Sequence, residues 1–173
     1  MTENKVNKKW AIGLSILIVL WAIIEACIKN AKADIIIKNN NCDVEKILVE
    51  KSEKKMYLLD CNGNTVKEYD VRLGLDGPKQ CEGDKKTPEG TYKIIDKYSS
   101  KYHKFLAIDY PRAKDIKKAK ELGCKPGNGV GIHAWIKGLP KSNSRGCITV
   151  WEKEEIYEIN RLVKIGTIIE IRK

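Results

Sequence analysis

The sequence predicts a mainly β domain with two short helices, an α+β fold, following an N-terminal apolar helix. Three observations carry this expectation. After residue 43, short β-prone runs alternate with turn signals. Two stretches of that region read as helices, by a proline start and glycine stop in one and by helically spaced apolar residues in the other. A long apolar run lies near the start, from Trp10 to Ile24.

That first run follows Lys5, Lys8 and Lys9 and precedes Ala31, Lys32 and Ala33, the order of a secretory signal: basic region, apolar region, small-x-small site. Taken from Trp10 to Ile28, it also has the ~20 residues that a bilayer-spanning helix needs, with Glu25 near one end. Lysines on both flanks give no charge asymmetry to decide between a cleaved signal and a retained anchor. A lipoprotein reading through Cys27 meets Glu25 where a small or apolar residue would be expected. Residues 1–33 are therefore expected to be a signal peptide or membrane anchor, and residues 34–173 one extracytoplasmic domain of ordinary size.

Within that domain, Glu45–Glu50 and Met56–Asp60 read as strands joined by the charged turn Lys51–Lys55. Pairing about its middle would bring Cys42 and Cys61 together. Thr65–Leu73 reads as a third strand after the Asn62, Gly63, Asn64 turn. Gly74–Gly90 is too long for a hairpin turn, and long ordered loops are often functional. Strands resume at Thr91–Tyr98 and His103–Tyr110. Pro111 is placed to open a first helix that Gly123 stops. A strand at Val130–Trp135, a loop at Ile136–Asn143 and a short strand at Cys147–Val150 follow. Thr149 and Glu152 have capping-box spacing, and Ile156, Ile159, Leu162 and Val163 recur at helical intervals, which predicts a second helix over Val150–Val163. Thr167–Ile171 is the last strand.

The chain of 173 residues has 33 basic and 23 acidic side chains, a net charge of +10. Without residues 1–33 the balance is +7, which favours anionic partners. No clustered basic and aromatic pattern suggests nucleic acid, so an exported, anionic cell wall is the more economical partner. Five cysteines remain: Cys42, Cys61, Cys81, Cys124 and Cys147. Without C-x-x-C pairs, and with His103 and His133 the only histidines, a structural metal has little support and no cofactor is expected. An odd count in an oxidising compartment suggests two disulfides and one free thiol. If Cys42 pairs with Cys61, Cys81–Cys124 follows by elimination.

The chemistry concentrates in one region. A cysteine nucleophile needs a base in reach, something to fix that base's tautomer, and amides aimed at the developing oxyanion. His133 lies on a predicted strand, and Cys147 follows fourteen residues later at the start of another. A connection of that length can lay the two strand ends side by side. Gly146 lets the backbone approach a substrate, and the turn Ser144, Arg145, Gly146, Cys147 could aim successive amides at one oxygen. Taken singly, Cys147 could be a small buried hydrophobe and His133 a core histidine.

Their company argues otherwise. Ser144, Arg145, Gly146, Cys147 and Ile148, after Ile132 and His133, resemble the signature of L,D-transpeptidase catalytic domains of the YkuD or ErfK type. The loop from Gly77 through Asp84, the run Lys86, Thr87, Pro88, Glu89, Gly90, Thr91, Tyr92, the pair Tyr102, His103 and the segment Ile108–Pro111 resemble the family's smaller secreted members. The resemblance spans about residues 45–171. It implies a β-sandwich or barrel catalytic domain in which Cys147 is the nucleophile and His133 its base. The Ala134 carbonyl would orient the imidazole, and the amides of Arg145, Gly146 and Cys147 would form the oxyanion hole. Ser144 would fix the turn or contact substrate, His103 would support the site, and Arg112 and Arg145 are candidates to hold a substrate carboxylate.

Three positions depart from the family pattern: Ala134 where Gly is usual, Arg145 where His is common, and Thr149 in place of Asn or Arg. The implied reaction is attack on the carbonyl after the third residue of a peptidoglycan stem peptide, expulsion of D-alanine, and resolution of the thioester by an amine of another stem or of a lipoprotein. Water as acceptor would give a carboxypeptidase, and attack on an existing crosslink a hydrolase of crosslinks. Two other classes are a non-catalytic wall-binding module, against which the intact Cys147 and His133 count, and a thiol redox protein, which would have Cys147 paired.

Overall fold

The computed structural model describes residues 20–21, 23–28 and 43–173. The chain divides into two compact units, Met1–Asn41 and Cys42–Lys173. In the first, residues 20–21 and 23–28 are helical. Among the described residues no helix is long and apolar enough to cross a membrane. The signal or anchor expected over residues 1–33 lies largely outside the described residues.

The second unit contains eight strands, β1 (Lys46–Glu50), β2 (Lys55–Leu59), β3 (Thr65–Arg72), β4 (Gly90–Ser100), β5 (His103–Ile108), β6 (Gly131–Ala134), β7 (Ile148–Val150) and β8 (Ile168–Arg172). Helix α1 (Ala113–Glu121) precedes β6, and α2 (Lys153–Leu162) follows β7. All eight strands fall where alternation and turn signals place them. They close into a barrel in the order β1-β2-β3-β7-β6-β5-β4-β8. Most neighbours are antiparallel, but β1 runs parallel to β8 and β6 parallel to β7. Parallel neighbours need a crossover of a dozen or more residues, and the chain between Ala134 and Ile148 supplies one.

Alternation explains which side chains point inward. Ile47, Val49, Met56 and Leu58 are fully buried on β1 and β2 while their neighbours are partly exposed. Every residue of β6 and β7 is buried, so both faces of this parallel pair are covered. One face, Ile132, Ala134, Ile148 and Val150, joins Ile156 and Ile159 of α2 in the hydrophobic core. Burying each large aliphatic side chain there is worth about 1.5–3 kcal/mol. The opposite face carries Gly131, His133 and Thr149, with Cys147 two residues before Thr149 and so on the same side.

Both helices begin later than the sequence suggests. Thr149 lies inside β7 at 1 % exposure, where it pairs across the sheet, so it cannot cap a helix. Glu152 is the N-cap of α2, and its amide donates to Glu155 at 2.9 Å. In α1 the N-cap is Arg112, whose amide donates to Asp115 at 2.9 Å, and Pro111 stands just outside. Cys81 and Cys124 form a disulfide with their Cα atoms 5.8 Å apart, which staples the long loop after β3 to the segment after α1. Cys61 is disulfide-bonded; the expected partner, Cys42, lies outside the described residues.

Candidate active site

The sheet register assembles the site. Phe105 pairs with His133 across β5 and β6, His133 with Thr149 across β6 and β7, and Thr149 with Arg72 across β7 and β3. Side chains paired in this way share a face. Phe105, His133, Thr149 and Arg72 therefore form one row over four strands, and Cys147 joins it from the end of β7. The row floors a pocket of about 190 Å³ that Tyr102, Gly129, Ser144 and Arg145 also line.

His133 is 6 % exposed. Its ring packs against those of Tyr102, 4.4 Å away between centroids, and Phe105, 5.7 Å away and nearly parallel. These two rings fix the plane of the imidazole. Its Nδ1 is 2.8 Å from the carbonyl oxygen of Ala134. A carbonyl can only accept, so Nδ1 carries the proton and Nε2 keeps its lone pair. Burial lowers the His133 pKa; the bond to Ala134 opposes this, and the charge of Arg72 lowers it further. The net shift favours the neutral ring.

Cys147 is a free, half-buried thiol whose Sγ donates to the Gly129 carbonyl at 3.6 Å. Burial pushes the thiol up, and the Gly131 amide and the Lys79 charge partly offset that. Both shifts favour the uncharged forms, thiol and imidazole, over a thiolate–imidazolium pair. Gly131 is required beside it: a Cβ there would overlap the Leu106 carbonyl and the Phe105 ring.

The turn before β7 is held from both ends. The Ser144 amide donates to the Leu73 carbonyl at 2.7 Å, and Ser144 Oγ donates to the Cys147 carbonyl at 2.6 Å. The same Oγ accepts from the Gly146 amide at 3.0 Å. Of the three amides expected to share one oxygen, that of Gly146 is thus turned to Ser144. Among the described residues no group accepts from the amides of Arg145 and Cys147. Gly146 has φ +120°, and a Cβ on it would lie 2.8 Å from the Lys86 carbonyl oxygen, so this position admits only glycine.

Of the residues picked out by sequence, Cys147, His133, Ser144 and Arg145 line one pocket. His103 does not: it opens β5 with φ +70°, and its ring is 6.2 Å from that of Tyr157. Of the pair Tyr102 and His103, the tyrosine reaches the site. Arg112 is likewise outside the pocket, at the head of α1, donating to the Thr91 carbonyl at 3.0 Å. Sequence reasoning missed Arg72, which is 4 % exposed and lines the pocket. It also missed Asp84, which collects the amides of Gln80, Cys81 and Lys86 and the ammonium of Lys79 at 2.7–3.1 Å and so folds the loop under the site. Among the described residues no three His, Cys, Asp or Glu side chains cluster as a metal would require.

Comparison with known proteins agrees with this architecture. No curated protein sequence matches the chain closely enough to count as a relative. Among solved structures, the helical cell shape determining protein Pgp2 of Campylobacter jejuni superposes with a TM-score of 0.62 at 24 % identity, over 77 % of this chain and 49 % of that one. Bd1075 of Bdellovibrio bacteriovorus gives 0.57 at 26 % identity over 76 % and 48 %. An L,D-transpeptidase of Enterococcus faecium gives 0.52 at 18 % over 76 % and 50 %. The chain spans about half the length of these structures. A model of the L,D-transpeptidase catalytic domain, YkuD, matches residues 45–171, which take in all of the barrel's strands and helices but the last residue of β8, and the chain belongs to that family.

Proposed function

We propose that this domain is an L,D-transpeptidase that transfers acyl groups of peptidoglycan stem peptides through a thioester on Cys147, outside the cytoplasm, with residues 1–33 serving as export signal or membrane anchor. The observation that carries this reading is a free thiol sharing a small pocket with an imidazole whose Nδ1–H is committed to a main-chain carbonyl. Nε2 of His133 takes the thiol proton as Sγ attacks the carbonyl after the third stem residue, and an S–C bond forms. The oxyanion is met by the amides of Arg145 and Cys147, and by that of Gly146 once it leaves Ser144 Oγ. The C–N bond then breaks, and His133 returns the proton to the departing D-alanine amine. An amine of a second stem, or of a lipoprotein, attacks the thioester and regenerates the thiol.

The same intermediate resolved by water gives a carboxypeptidase. The likeness to Pgp2, a helical cell shape determining protein, favours keeping this second reading, because trimming stem peptides changes the wall as surely as joining them. Incubation with a stem tetrapeptide, with and without a second stem as amine donor, separates the two by mass. A crosslinked product with release of D-alanine is the outcome expected of a transpeptidase, and tripeptide plus D-alanine that of a carboxypeptidase. Neither product, from folded protein with Cys147 reduced, would contradict both and leave a wall-binding module.

A further inference from the structure

Arg72 is a buried cation without an anion. Its Nε donates to the Lys141 carbonyl at 2.9 Å, and its Nη2 to the carbonyls of Pro140 and Asn143. These carbonyls satisfy donors, and the guanidinium lies over the Trp151 ring with Cζ 5.3 Å from its centroid, but neither contact supplies a negative charge. Among the described residues no carboxylate lies within 4.0 Å of the guanidinium to form an ion pair, although Asp70 and Asp76 line the cavity of about 460 Å³ that Arg72 borders on its other side. A buried charge is costly unless it is paired. Its remaining nitrogen, Nη1, has no acceptor among the described residues. Nor is Nη1 sealed from water: the buried side-chain polar atom left without a partner among those residues is Thr149 Oγ1.

That second orphan is adjacent. Thr149, 1 % exposed, is the direct cross-strand partner of Arg72, and both line the pocket that holds Cys147 and His133. The lining of one pocket thus includes an arginine with an unpaired nitrogen and a threonine with an unpartnered, solvent-closed hydroxyl. A carboxylate answers both, with one oxygen accepting from Nη1 and the other from the threonine O–H. A cation would be repelled, and a neutral amide would leave the charge unpaired. We infer that Arg72 and Thr149 form a carboxylate-binding subsite inside the catalytic pocket, filled by a carboxylate of the stem peptide. The inference deepens the proposed function and rests on it for the identity of the ligand; the carboxylate is either the terminal one of the departing D-residue or a side-chain carboxylate on the acyl part.

Protection of Cys147 from iodoacetamide tests this without requiring turnover. The full chain is alkylated in the presence of N-acetyl-D-alanine, the α-amide of N-acetylglutamate, or N-acetyl-D-alaninamide as the uncharged control. The subsite predicts that at least one acid slows alkylation at concentrations where the amide does not, and which acid does so identifies the source. Arg72→Gln should weaken that protection about 10–100-fold, as expected for a charge-assisted bond, and Thr149→Val about 3–10-fold. Arg72→Lys, which keeps the charge but not the fork, should fall between wild type and Arg72→Gln. A merely structural role for Arg72, through the loop carbonyls it holds, would change the alkylation rate without ligand and leave the acid-to-amide ratio alone. Thr149→Val leaves those carbonyl contacts intact and carries the test if Arg72→Gln does not fold. Equal protection by acids and amide in wild type, or unchanged selectivity in Thr149→Val and any folded Arg72 variant, overturns the subsite. Failure of the proposed function is a different result: no thioester from a stem tetrapeptide.

Discussion

The Nδ1–H of His133 donates to the carbonyl of the next residue, Ala134, at 2.8 Å. A histidine base oriented by its own neighbour's main chain needs no carboxylate behind it, and among the described residues no acidic side chain lines the pocket. The imidazole is held instead by this one bond and by the rings of Tyr102 and Phe105. The side chain at position 134 takes no part in the contact, since it points into the core with Ile132, Ile148 and Val150.

Replacing Ala134 by glycine should therefore spare acylation of Cys147, keeping its rate within a few-fold of wild type. Stability should fall by about 1 kcal/mol, from the freer backbone and the lost methyl. Parallel measurement of acylation rate and Tm checks both. A large loss of rate with little change in Tm would mean that the side chain, not the carbonyl, matters.

Alkylation of Cys147 by iodoacetamide should track a raised thiol pKa. Burial lifts the thiol above its ordinary value of about 8.5, and lowers His133 below about 6.5. Only the thiolate is alkylated, so the rate should stay low through neutral pH and climb above about pH 8.5. A preformed thiolate–imidazolium pair would instead react fast at pH 6. The same shifts bear on stability. His133, depressed in the fold, contributes stability that is lost as pH falls below about 6.5; Cys147, raised in the fold, contributes stability that is lost as pH rises above about 8.5.

Asp84 should be an acid-sensitive fastener of the loop between β3 and β4. Burial raises its pKa, but the amides of Gln80, Lys86 and Cys81 and the Lys79 ammonium outweigh that and bring it to about 2. A depressed carboxylate contributes stability above its unfolded value of about 3.9 and loses it as pH falls toward 2. Asp84→Asn should lower Tm at pH 7 and flatten the dependence of Tm on pH between 4 and 2. An unchanged Tm profile would show that the loop is held by the Cys81–Cys124 disulfide alone.

Strand positions were legible because alternate burial leaves a period of two, as in Ile47 and Val49 or Met56 and Leu58. The Cys147–His133 pair was legible because Ser144, Arg145, Gly146, Cys147 and Ile148 after Ile132 and His133 resemble a family signature, and because a connection of that length can lay two strand ends side by side. Ring order was not. The β3–β7 pairing joins Arg72 to Thr149 across a long stretch of sequence, and nothing local encodes it. For the same reason Arg72 passed as an ordinary polar residue between Val71 and Leu73, although an arginine flanked by two inward aliphatics at a strand end was a usable signal. Thr149 misled because its spacing to Glu152 mimics a cap, while tertiary pairing between Arg72 and His133 holds it in a strand. His103 and Arg112 stood near site-like motifs in sequence, yet strand geometry presents Tyr102 to the pocket, and the start of α1 takes Arg112.

The proposed function requires that Cys147 become acylated with His133 as its base. Intact-protein mass spectrometry of the chain mixed with a stem tetrapeptide, or with a carbapenem, tests it most directly. A covalent adduct is expected on wild type, none on Cys147→Ala, and formation slowed by about two to four orders of magnitude in His133→Ala. An adduct that persists in Cys147→Ala, or none at all on folded protein whose Cys147 is reduced, would contradict it.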